Sequence, residues 1–291
     1  MTAVLPAAGP DLTTGSGPRP VEARSRVAAR ALGRFVAPGT AVLYLSLLVL
    51  IPLAALSVNA FHGGWSGFWG AVHNPESWAA LKLTLLSALI VVVLNTLAGT
   101  AIAWVLVRDS FPGKGILAWV VDLPFALPTV VAGLTLLSLY GPNSPLHLNA
   151  SGSRFGVWLA LAFVTLPFSV RAVQPVLAEL DRDAEEAAAS LGAKSPTVLR
   201  RIVLPSLAPA MLSGAMLAFA RAMGEYGSLV FISGERPFST EVGSVRIFGL
   251  YESGQNSAAA AVSFALLALS LFVLLVFGTL RRRLSRPEVS R

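Results

Sequence analysis

Hydrophobic positions gather into six long runs divided by short polar stretches, at about 38–58, 81–107, 116–139, 156–177, 206–232 and 258–280. Each run exceeds the roughly 18 residues that a helix needs to cross the hydrocarbon of a bilayer. The pattern predicts an all-α, polytopic membrane protein whose six-span domain occupies residues 36–283. Residues 1–35 are rich in Pro, Gly, Ala and Arg without an apolar period and read as a disordered basic tail. Residues 284–291 read as a second, short tail. Span one behind its basic tail is reminiscent of a signal peptide ending at Val58-Asn59-Ala60. Its apolar run is longer than the roughly 7–15 residues of a secretory h-region, so it reads as an anchor.

Composition agrees: 55% of residues are hydrophobic and 13% charged, with a mean hydropathy of +0.70. The absence of cysteine excludes disulfides, thiolate metal sites and thiol nucleophiles. A net charge of +7 would suit nucleic acid in a soluble chain, but here the placement of Lys and Arg carries more information than their sum. With both ends inside, the inner side collects Arg19, Arg24, Arg26, Arg30 and Arg34, then Arg108 and Lys114. It also takes Arg171, Arg182, Lys194, Arg200 and Arg201, then Arg281, Arg282, Arg283, Arg286 and Arg291. The outer side keeps Lys82, Arg154, Arg236 and Arg246. Both termini are therefore expected in the cytoplasm.

The inner loop between spans four and five, about 179–205, is charged and helix-prone. Asp183, followed three residues later by Glu186, reads as a capping box. Ala184, Ala187, Ala188 and Leu191 fall at i, i+3, i+4 and i+7, one narrow face of small apolar residues. Gly192 suits a left-handed helix end, and Ser195-Pro196 supplies an N-cap and a first-turn proline for a second short helix. Small side chains on an exposed helix let another surface approach its backbone.

The same loop resembles the EAA loop of bacterial ABC importer permeases, written E-A-A, three residues, Gly, nine residues, Ile-x-Leu-Pro. Glu186-Ala187-Ala188, Gly192 and Ile202-Val203-Leu204-Pro205 meet every fixed position. The resemblance implies that Asp183, Ala184, Glu186, Ala187, Ala188, Leu191, Gly192, Leu204 and Pro205 form the element on which an ATPase subunit docks. Further strings narrow the likeness to the T-type subunit of sulfate/thiosulfate permeases: Leu127-Pro128-Thr129-Val130-Val131-Ala132-Gly133, Leu139-Tyr140-Gly141-Pro142-Asn143, Leu166 to Val176, and Gly224-Glu225-Tyr226-Gly227-Ser228. The chain departs from that family after Thr240-Glu241, where Val242 to Gly249 replaces a hydrophobic, often Pro-Leu-containing segment. Molybdate and tungstate permeases are close relatives and the main alternative for the cargo.

The resemblance implies the bacterial inner membrane and alternating access driven by ATP. It also implies a W-type permease partner, two ATPase subunits that hold ATP and Mg, and an external sulfate-binding protein. No ATP-binding motif is present here, because Gly113-Lys114-Gly115 and Gly192-Ala193-Lys194-Ser195 lack the spacing of a P-loop. No nucleophile–base set is recognisable, so no catalytic residues, no cofactor of its own and no nucleic-acid partner are expected. His62, His73 and His147 are widely separated and form no credible metal site. A stand-alone secondary transporter or channel, the rival reading, would show inverted repeats or mid-membrane acidic residues and leaves the nine-residue gap unexplained.

Arg221 and Glu225 lie one turn apart in span five, with Arg221 about 22 Å along the helix from Ser206. Two readings fit: a cation facing a dianion path with Glu225 preventing a tight trap, or an i,i+4 ion pair that snorkels to the outer surface. Pro124 and Pro128 remove two backbone donors from span three and predict a kink or unwound turn whose free carbonyls line a cavity. Pro124, Pro128, Thr129, Arg221, Glu225 and Tyr226 are the candidate path residues. Asp122 would repel a dianion and reads as structural or interfacial; Arg171 reads as a positive-inside anchor.

Overall fold

The computed structural model describes residues 39–284, and the two regions read as tails lie outside them except for Leu284. All regular structure among the described residues is helical. The chain divides into two compact units, one ending at Ala55 and one beginning at Leu56. The described part of the first unit belongs to α1, Gly39–Ala60. A π-helical turn interrupts this helix at Ser46–Leu50, and Leu43, Leu48 and Ile51 are exposed along it.

The second unit is built on α2 (Gly64–Val72) and α3 (Pro75–Arg108). Asn74 caps α3, accepting from the amides of Glu76 and Ser77, and Pro75 fills the first turn, where its missing N–H leaves no gap. The inward stripe of α3 runs through Ser77, Leu81, Thr84, Ala88, Val91, Asn95, Gly99 and Ala103. Small and polar residues on such a stripe suit a membrane interior, where close backbone approach and interhelical hydrogen bonds replace hydrophobic drive. Asn95 Nδ2 donates to Ala162 O and Thr165 Oγ1, both at 2.9 Å, on α6 (Arg154–Glu179). A Cβ on Gly99 would fall 2.7 Å from Ser169 Cβ of the same helix.

Span three is two helices, α4 (Lys114–Ala126) and α5 (Thr129–Tyr140), bent by 117°. The expected kink is a full break. Leu127 is extended, Pro128 caps α5, and prolines at 124 and 128 remove two donors one turn apart on the same face. After α7 (Arg182–Ser190), α8 runs from Ser195 to Met223, passing through a π turn at Leu199–Val203. Pro205 lies at the start of the α-helical stretch that follows; lacking an N–H, it is accommodated by the wider turn before it. The fifth apolar run then breaks at Gly224–Tyr226, resumes as the short α9 (Gly227–Ile232), and is followed by α10 (Gly243–Glu252) and α11 (Asn256–Leu284).

α3, α6 and α8 pack mutually, α11 covers α8, and α9 lies against α5 and α6. One core gathers around Phe219, Leu161, Leu229, Ile232 and Val262. A second, under α7, holds Leu106, Val173, Leu177, Val198, Val203 and Leu207. Among the described residues five helices are long and apolar enough to cross a membrane, and the bent pair makes a sixth if it counts as one span.

Candidate translocation path and coupling loop

In the loop at 179–205 the cap of α7 is Asp181, whose carboxylate accepts from the Asp183 amide at 2.9 Å. Asp183 is therefore not the cap, and no capping box forms with Glu186. The backbone of Asp181 is extended while residue 182 is already helical, so the earlier of the two aspartates takes the position. Glu186 instead borders a groove with Trp104, Pro196 and Leu199. Gly192 is left-handed at φ +84°. Its amide bonds to Ala189 O at 2.9 Å, and the Ala193 amide to Ala188 O at 3.0 Å. Those two bonds make a Schellman end, which turns the chain back beneath α7.

That reversal divides the predicted small-residue face. Ala184 and Ala187 are exposed and Leu191 is 90% exposed, whereas Ala188 is half-buried against the second core. Ser195 is not an N-cap: the cap position falls on Lys194, whose carbonyl takes the amides of Thr197 and Val198. The expected second short helix is the beginning of α8. Leu204 follows the π turn directly, with Pro205 next to it. Sequence reading missed Glu185, which is ion-paired with Arg108 at the end of α3. The one available signal was a basic residue closing span two opposite an acidic pair in the loop.

Thr129 and Tyr226 lie where two broken spans meet, with Arg221 and Glu225 beside the second break. α5 and α9 pack backbone against backbone: a Cβ on Gly133 would lie 2.7 Å from Ser228 O. Thr129 abuts Gly227, the residue after Tyr226. Arg221 Nη1 lies 2.5 Å from Glu225 Oε2. This pair does not snorkel outward, because Glu225 is 2% exposed. Glu225 Oε1 accepts from the Ser228 amide at 2.8 Å and the Ser228 hydroxyl at 2.9 Å. Its carbonyl accepts from Ser244 Oγ of α10 at 2.5 Å. Arg221 remains a third exposed, and Tyr226 packs its ring 5.2 Å from Phe248 on the wall of a cavity of about 600 Å³. Arg221 thus keeps a partly exposed guanidinium beside its buried partner, while the cavity is lined by Tyr226, Ser244, Phe248 and Tyr251 and not by Arg221. Pro124 sits before the bend, on α4, apart from this cluster.

Asp122 and Arg171 belong to one structural device. Arg171 Nε donates to Asp122 Oδ1 at 2.8 Å, Nη2 to Oδ2, and Nη1 to Gln174 at 2.7 Å. The bidentate pair ties α4 to α6, so Arg171 is a tether between helices and not a free anchor. The divergent segment after Glu241 forms the start of α10, where the Gly243 amide donates to Thr84 Oγ1 at 2.7 Å and Arg246 pairs with Glu76 at 2.6 Å.

The family described as "Binding-protein-dependent transport system inner membrane component" matches residues 95–286. Over 258 residues, 86% of this chain and 93% of the relative, the sequence is 41% identical to the sulfate transport system permease protein CysT of Salmonella typhimurium. The CysT protein of Synechocystis is 42% identical over 248 residues, 83% of this chain and 87% of its own length. The chain belongs to this permease family. It is a multi-pass membrane component of an ABC importer. Among solved structures, a bacterial ABC transporter importing alginate aligns at TM-score 0.72 with 14% identity, over 91% of this permease and all of that chain. A methionine ABC transporter aligns at 0.54 with 16% identity, over 75% and 97%. Both share the fold.

Proposed function

We propose that this permease is one half of the pore of an ATP-driven sulfate importer in the bacterial inner membrane, with thiosulfate as a related cargo. The observation that carries the reading is α7, an exposed helix with no buried residue, reversed at Gly192 and offering Ala184, Ala187 and Leu191 outward. In the proposal, α7 faces the cytoplasm together with both termini, in line with the concentration of Lys and Arg on that side. An ATPase subunit docks on it, a W-type permease supplies the other half of the pore, and an external binding protein delivers the dianion. ATP and Mg belong to the ATPase pair. Their closure moves the coupling helices and turns the pore outward, and hydrolysis resets it. Pro128, Thr129, Arg221 and Tyr226 line the anion's way, with Glu225 buried behind Arg221 and Pro124 one turn before the break.

The test of cargo is deletion of this chain in a strain stripped of redundant transporters. Growth should fail on low sulfate and return with cysteine. Normal growth on low sulfate with lost molybdenum-enzyme activity would establish molybdate as the cargo instead.

A further inference from the structure

α3 is gripped at both ends by charged pairs outside the candidate path. At the α7 end, Arg108 donates to Glu185, and its guanidinium carbon lies 5.6 Å from the Trp104 ring centroid. These side chains are only 10% and 21% exposed, and Arg108 Nε is buried without a hydrogen-bond partner. The Glu185 carboxylate is thus the main compensation for a desolvated cation. At the far end, Glu76 holds Arg246 of α10 and Thr84 accepts from Gly243. α10 in turn reaches the path through Ser244 to the Glu225 carbonyl and Phe248 to Tyr226. Between these grips α3 is one unbroken helix of 34 residues, about 50 Å long, fixed along α6 by Asn95 and Gly99. Packed side chains, ion pairs and rigid helices can carry coupling over such a span, and here they form one continuous series.

We infer that α3 is a strut carrying movement of the coupling helix to the far end of the path. Arg108 and Glu185 form its inner joint and Glu76 and Arg246 its outer joint. All four are positioning residues. The inference rests on α7 being the ATPase-docking element.

The experiment uses the full complex in vesicles with loaded binding protein, and reads sulfate imported per ATP hydrolysed alongside co-purification of the ATPase. Glu185→Gln and Arg246→Gln should each keep the ATPase bound and lower that ratio by about fivefold or more, the range of coupling between distant sites. Glu185→Asp, which keeps the carboxylate, should recover much of the loss. If both joints serve one strut, the double variant should be no worse than the poorer single variant, because each already disconnects the same element. A wild-type ratio in either single variant, effects that multiply in the double, or loss of the ATPase from Glu185→Gln would each overturn the strut. An Ala187→Glu variant that still binds the ATPase would overturn the docking reading and the strut with it, whereas docking lost in Ala187→Glu beside a wild-type ratio in Glu185→Gln would overturn the strut alone.

Discussion

Gly227 leaves room for Thr129 that no other residue would: a Cβ at position 227 would lie 2.2 Å from Thr129 Oγ1 and 3.0 Å from the Val130 amide nitrogen. The contact joins the breaks of two spans, one at Leu127–Pro128 and one at Gly224–Tyr226. Everything proposed for the anion path depends on those breaks being side by side.

Gly227→Ala should therefore push α9 away from α5. Overpacking of this kind costs about 1–3 kcal/mol, visible as a lower Tm of the purified complex. Sulfate uptake should fall further than stability does, since the path itself is displaced. Gly133→Ala attacks the same seam from the other helix, where a Cβ meets Ser228 O, and should behave alike. Normal Tm and uptake in both variants would count against the seam.

Arg221→Gln should reduce uptake at least about tenfold, equivalent to about 1.4 kcal/mol, with the ATPase still bound. It also leaves Glu225 buried without its cation, so Tm should drop. Arg221→Gln combined with Glu225→Gln should restore much of the Tm, because both charges are then gone, while uptake stays low. Wild-type uptake in reconstituted vesicles would reject a path role for Arg221.

Gly192→Val places a β-branched side chain at φ +84°, a conformation strongly disfavoured for it. The Schellman end should open and α7 should lose its orientation. Protein level in the membrane should stay normal, because the change touches no span, while ATPase co-purification is lost. Ala187→Glu should give the same outcome by a different route, a charge and extra bulk on the exposed face.

Glu241 lies in the loop between α9 and α10, outside the spans, and its carboxyl is held above the usual range. Burial is the first cause; Glu76 and Glu235 add to it, and Arg246 opposes it. A carboxyl with a raised folded pKa favours the fold below the ordinary carboxylate range, and that contribution is lost as pH rises through its folded value. Neutral pH thus carries a penalty. Glu241→Gln should raise Tm at pH 7, with the gain vanishing in acid. A lower Tm at pH 7 would show that its attraction to Arg246 outweighs burial.

The spans, the charged loop and the left-handed Gly192 were legible because each is written in local pattern: hydropathy, helix period and a glycine just past the last turn. The Arg221–Glu225 pair was legible for the same reason, being one turn apart. Its burial was not, because that depends on Ser228 beyond a helix break and Ser244 on a different helix. The break at Gly224–Tyr226 is hidden within a continuous apolar run. Asp181 and Asp183 are equivalent to any rule of local composition, and only the backbone at residue 181 decides between them. Glu185 and Arg108 are 77 residues apart in sequence, beyond the reach of any local pattern.

The bend of span three bears on how the protein is made. α4 has 13 residues and α5 has 12, each spanning about 20 Å of a hydrocarbon layer about 30 Å thick. Neither half crosses by itself, and Pro124 and Pro128 keep the run from forming one continuous helix without fixing the angle of the bend. What holds the bent form arrives afterwards: Arg171, 49 residues downstream, grips Asp122, and Gly227, later still, receives Thr129. Span three is in this sense shaped by segments synthesised after it. A defect in α6 or α9 would be felt first in an upstream helix that has itself suffered no change.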